Sequence, residues 1–110
     1  MANRSEFLEE TWTEIINAPM GGAWIDNVIA ASERRPNDPF ADLGPALKRL
    51  LAAGVERRDL CLVARWASYE ATFQVLYKID DLDGADNRCM HEDLLTADPS
   101  GKDGQPGSAP

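Results

Sequence analysis

Residues 57–79, RRDLCLVARWASYEATFQVLYKI, decide the fold. The stretch holds no Gly or Pro over 23 residues, and as a helix it would extend roughly 34 Å. On a helical wheel Leu62, Trp66, Tyr69, Phe73 and Leu76 form a bulky aromatic stripe. Leu60, Ala64, Ala67, Ala71 and Val75 form a small-residue stripe nearly opposite, leaving Arg65, Ser68 and Thr72 as the strip for solvent. A helix apolar on most of its circumference is one that other helices surround, so this segment is expected to be the central helix. Glu70 falls at the seam of the two stripes, beside Val63, Gln74 and Tyr77. A buried carboxylate must find donors or take up a proton, which predicts a buried structural role for Glu70, bonded to an indole N–H, a Tyr hydroxyl or an Arg.

Outward from this helix the chain is punctuated by turn residues. Upstream, 45–53 reads as a short helix with Pro45 in its first turn, Leu47, Leu50 and Leu51 as its buried stripe, and Gly54 as a left-handed cap. In 35–39, RPNDP, each proline pushes its predecessor toward extended geometry, so this is a loop, with Phe40 expected to anchor it. A helix over 23–34 places Trp24, Ile25, Val28 and Ile29 on one side. The break 17–22, NAPMGG, separates it from a first helix over 5–17, capped by Ser5 and apolar at Leu8, Trp12, Ile15 and Ile16. Downstream lie an acidic loop at 80–87, a helical turn at 91–96 that returns Leu94 and Leu95 to the body, and a Pro/Gly/Ser-rich tail at 99–110. The expectation is an all-α, compact bundle of about four helices with a long central one (about 57–79). It forms a single domain over 1–98, with a flexible or disordered tail over 99–110. Trp12, Trp24 and Trp66 each fall on an apolar face and are expected in a shared core; an exposed one would instead mark a protein interface.

Composition narrows the function. A chain of 110 residues, 44% apolar and 27% charged, can bury a core without metal or disulfide. Neither a signal-type apolar run nor a stretch of about 20 apolar residues is present. The expectation is therefore a cytoplasmic protein, with no membrane, whose Cys61 and Cys89 are free thiols. The net charge of −8 repels nucleic-acid backbones and anionic lipid and favours basic partners. It is uneven. Residues 80–103 hold eight acids against Arg88 and Lys102, whereas 34–78 hold eight bases against five acids.

Motifs for chemistry fail on spacing. Placing Gly84 at the sixth position of a calcium loop puts Ile79 first and Met90 twelfth, where oxygen ligands belong. The pair Cys89 and His91 has no second pair to complete a zinc site and no third group to orient a nucleophile. The helix–Gly54–helix corner fits helix-turn-helix spacing, but the second helix would offer Leu62 and Trp66 to the groove. No catalysis, metal or cofactor is predicted, and nucleic acid is disfavoured. The 90–101 block resembles segments of small bacterial proteins, a likeness that implies no chemistry. In size and acidity the chain is similar to the immunity proteins that neutralise toxins. The expected role is a small acidic, immunity- or adaptor-like module that binds a basic protein partner through Glu6, Glu10, Asp80, Asp81, Asp83 and Asp86. The alternative is a homodimer formed by exposed apolar residues of helix 57–79 or of the first helix.

Overall fold

The computed structural model describes residues 3–82 and 90–108. Among the described residues the chain is all-helical, in the order α1 (Arg4–Thr11), α2 (Ala23–Arg34), α3 (Leu43–Ala52), α4 (Arg57–Leu82) and α5 (Met90–Asp93). A π-helical turn, Trp12–Ile16, extends α1, and 3-10 turns follow at Ala18–Gly21 and Leu95–Ala97. The long helix is present and runs 26 residues. Contacts divide the chain into a middle unit, Pro19–Ala64, and a terminal unit made of Met1–Ala18 with Arg65–Pro110. The division falls inside α4.

In the middle unit Gly22 starts α2 from a left-handed φ of 82°, and the core is Ile25, Leu47 and Cys61, with Trp24 packed against it. The Trp24 indole donates to the Pro19 carbonyl at 2.9 Å. α2 and α3 approach closely because α3 begins at Leu43 and puts Gly44 against Ser32. A Cβ on Gly44 would sit 2.4 Å from both Cβ and Oγ of Ser32. α3 ends as its glycine predicts. Val55 N–H donates to the Leu50 carbonyl at 3.1 Å and Gly54 N–H to Leu51 at 3.0 Å, with Gly54 at φ 95°: a Schellman cap. Phe40 does not anchor its loop. It is 85% exposed at φ 63°, and the loop closes on backbone turns instead, Asp38 to Arg35 at 3.1 Å and Ala41 to Asp38 at 3.0 Å.

In the terminal unit the cap of α1 is Asn3, not Ser5: its Oδ1 accepts from the Glu6 N–H at 2.8 Å. The π turn widens the helix by one residue, closing Asn17 N–H onto the Trp12 carbonyl at 2.8 Å. That change of register buries Leu8, Trp12 and Ile16 with Leu76 and Leu94, and it turns Ile15 outward to 52% exposure. The Trp12 indole donates to the Leu94 carbonyl at 2.6 Å.

The terminal unit also shows how α4 is rotated, and here the wheel reading is corrected. Arg65, Ser68 and Thr72, assigned to solvent, are all at least partly buried, while Trp66, Ala67 and Ala71 are exposed. The polar strip faces inward because its donors are met. Arg65 Nε donates to Asn17 Oδ1 at 2.7 Å, its Nη2 donates to Ser108 Oγ, and its guanidinium lies 5.7 Å above the Trp12 ring. Thr72 Oγ1 donates to the Ser68 carbonyl at 2.7 Å. α4 is therefore not enclosed on all sides. Its three-tryptophan core is not shared either: Trp12 is 1% exposed and Trp66 64%.

Of the tail expected at 99–110, residues 99–108 are described, and they run through successive turns around Asp98. The Asp98 carboxylate, 4% exposed, accepts from Ser100 N–H at 3.0 Å and Gly104 N–H at 2.8 Å. Burial pushes this carboxyl up, but those two N–H groups and the Ser100 and Ser108 hydroxyls outweigh it and hold Asp98 below the usual carboxylate range. Gly104 takes φ 75° with Leu95 and Trp12 beside it.

Two substitutions test this packing. Gly44→Ala should lower stability by about 1–3 kcal/mol in urea unfolding, the cost of overpacking a tight contact. Combining it with Ser32→Gly should cost less than the sum of the two single changes. Asp98→Ala, which removes the acceptor of two part-buried N–H donors, should cost about 1–3 kcal/mol and speed tryptic cleavage after Lys102.

Candidate interaction surface

The outward side of α4 within the terminal unit follows from what its inward side holds. With Leu76 buried at 3% exposure and Arg65 and Thr72 turned in, Trp66, Glu70, Gln74, Tyr77 and Asp81 fall together elsewhere on the wheel. At 100° per residue they span about 80° of arc. Trp66 is 64% and Tyr77 52% exposed, and Asp81 is exposed. Glu70 is half-buried rather than buried. It bonds neither indole nor Arg among the described residues, and it accepts a long bond from Gln74 Nε2 at 3.4 Å. The carboxylate expected in the core therefore lies half-buried at the edge of the outward stripe.

Behind Tyr77 sits a bonded support. The His91 ring packs edge-on against Tyr77, with centroids 4.9 Å apart, and against Phe73 at 5.3 Å. His91 Nδ1 lies 2.7 Å from Asp80 Oδ2, and the His91 backbone N–H donates to the same oxygen at 3.1 Å. Burial pushes the Asp80 carboxyl up. The His91 ring, the backbone N–H groups of His91 and Met90 and the charge of His91 outweigh that effect and hold Asp80 below its ordinary value. Arg4 Nη2 meets Asp93 Oδ2 at 2.6 Å, tying α5 to α1. His91 Nε2 lies 3.9 Å from Glu92 Oε1, another carboxylate. This is the chemistry of a wedge that positions an aromatic side chain.

The sequence-predicted contact residues separate accordingly. Glu6 and Glu10 are exposed on α1, with Glu6 engaged by Asn3. Asp80 is committed to His91, Asp81 is exposed, and Asp83 and Asp86 lie outside the described residues. Cys61 is a buried free thiol and Cys89 lies outside the described residues. Among the described residues no group of His, Cys, Asp and Glu could hold a metal ion, and no helix is long and apolar enough to cross a membrane. Trp66 and Tyr77 were missed as surface residues, because their apolar character was read as burial. No protein-family model, curated protein or solved structure matches the chain.

The Asp80 support carries a pH signature. A carboxyl whose folded value is depressed contributes stability above its unfolded value of about 3.9, and that stability is lost as pH falls through the folded value. The thermal unfolding midpoint should therefore fall from pH 6 toward pH 3, and more steeply in the native chain than in Asp80→Asn. Equal slopes would show that the pair contributes nothing.

Proposed function

We propose that this chain is a non-catalytic interaction module that binds a basic protein partner. The observation that carries the reading is the exposed aromatic pair Trp66 and Tyr77 on a helix whose polar strip is turned inward. A Trp side chain offers 150–250 Å² for burial, so Trp66 leaves on the order of 2–4 kcal/mol of transfer free energy unclaimed. Trp and Tyr on a surface are the residues that most often anchor interfaces.

Charge selects the partner. The middle unit has six acids and six bases, whereas the terminal unit has thirteen acids against five bases, so the whole net charge of −8 belongs to the unit that bears the aromatic pair. A second copy of the chain would bring a net charge of −8 against −8, which electrostatics oppose. A basic surface is drawn to it. An adaptor- or immunity-like role in the cytoplasm agrees with this chemistry, and the proposal includes no cofactor, nucleic acid or membrane.

Calorimetric titration with a lysine- and arginine-rich amphipathic helical peptide, beside an acidic peptide of the same apolar pattern, tests the reading. Binding should be confined to the basic peptide and should weaken strongly between about 0.05 and 0.5 M salt, as screening shortens the range of charge. Equal binding of both peptides, or salt-independent affinity, would overturn it.

A further inference from the structure

The outer stripe of α4 is built from two copies of one arrangement. Trp66 is followed four residues later by Glu70, and Tyr77 four residues later by Asp81. Residues four apart on a helix are neighbours on its surface, about 6 Å apart along the axis. Each pair therefore offers an aromatic face and a carboxylate to one incoming group. The two pairs are 11 residues apart, close to three turns and about 17 Å. Between them on the stripe lies Gln74, and along its flank the helix exposes Ala67 and Ala71, side chains short enough for another helix to lie close.

One group satisfies both halves of such a pair. A guanidinium stacks on an aromatic face and bonds a carboxylate in its own plane; an ammonium is a compact point charge that lacks the planar fork. From this spacing we infer that the partner is an arginine-bearing amphipathic helix lying along α4. One Arg seats on Trp66 and Glu70, and a second, 11 residues away, seats on Tyr77 and Asp81. This rests on the basic-partner reading above and adds the place and the residue type. The second seat is preorganised, because the Tyr77 ring leans on His91, which Asp80 holds at 2.7 Å. A single-stranded nucleic acid could stack on the same rings, but the carboxylates of Glu70 and Asp81 would oppose its phosphates.

The test uses the full chain and synthetic helical peptides of about 20 residues. One has two Arg 11 residues apart beside an apolar stripe, one has Lys at both positions, and one has the second Arg moved to the opposite face. The first should bind about tenfold more tightly than either of the others. Trp66→Ala and Glu70→Gln should each weaken it about tenfold, and Glu10→Gln on α1 should leave it within twofold, with helical circular dichroism unchanged in all three variants. Salt-sensitive binding that Glu10→Gln weakens and Trp66→Ala does not would overturn the placement on α4 and leave the basic-partner reading standing. Binding of no basic peptide would remove both. Sedimentation showing a dimer that Trp66→Ala dissolves would assign the stripe to a second copy, and preference for oligothymidylate over the Arg peptide would assign it to nucleic acid; either overturns the inference.

Discussion

The rotation of α4 about its own axis is held by Arg65 and Leu76 together, and the surface of the terminal unit depends on it. The Arg65 guanidinium is spent inside the unit, over the Trp12 ring and bonded to Asn17 and Ser108. With that residue turned inward, the next one along the helix is displaced by 100° and Trp66 must face out. Rotating α4 to bury Trp66 would recover about 2–4 kcal/mol. It would forfeit two hydrogen bonds of roughly 1 kcal/mol each and a cation–π contact of about 0.5–2 kcal/mol. Those terms nearly cancel. The decision falls to Leu76, buried at 3% exposure, which the same rotation would carry outward.

Acidic side chains in the terminal unit then do two different jobs. Asp98, buried, and Asp80, half-buried, are fasteners. The first gathers the turns of 98–108 beside Trp12, and the second fixes His91 behind Tyr77. Glu6, Glu10 and Asp81 are exposed on the surface. Net charge therefore overstates what a partner can reach, since a carboxylate already accepting two or three hydrogen bonds has little left to give. Position matters more than number.

The class of fold was legible because its signals are local. A long stretch without Gly or Pro, Gly54 after an apolar stripe and the break at 17–22 each act within a few residues, and the structure has helices at 57–82, 43–52 and 23–34. The orientation of α4 was not legible, since it depends on partners far away in sequence. Nothing around Arg65 announces that Asn17 and Ser108 will meet its donors. The wheel therefore sent a charged residue to solvent and an aromatic one to the core. The turns within 99–108 were not legible for the same reason: the composition of 99–110 resembles a linker, but the carboxylate of Asp98 accepts from backbone groups at Ser100 and Gly104. The acidic half of the candidate surface could be named from the sequence. Its aromatic half could not.

That asymmetry has a physical cause bearing on how such surfaces arise. An apolar side chain on a helix is ambiguous by itself, because burial in the same chain and burial in a partner leave the same pattern. What separates the two is the polar strip, for a helix can turn its apolar side outward only if its polar side is satisfied within. In this chain Arg65, Thr72 and Ser68 form that satisfied strip, and the π turn at Trp12–Ile16 places Trp12 beneath the guanidinium and Asn17 against its Nε. The irregular turn in the first helical segment and the exposed aromatic ridge on the fourth are thus two ends of one constraint. Straightening the turn into a regular helix would shift the register of Asn17, loosen Arg65 and remove one of the two restraints that turn Trp66 outward.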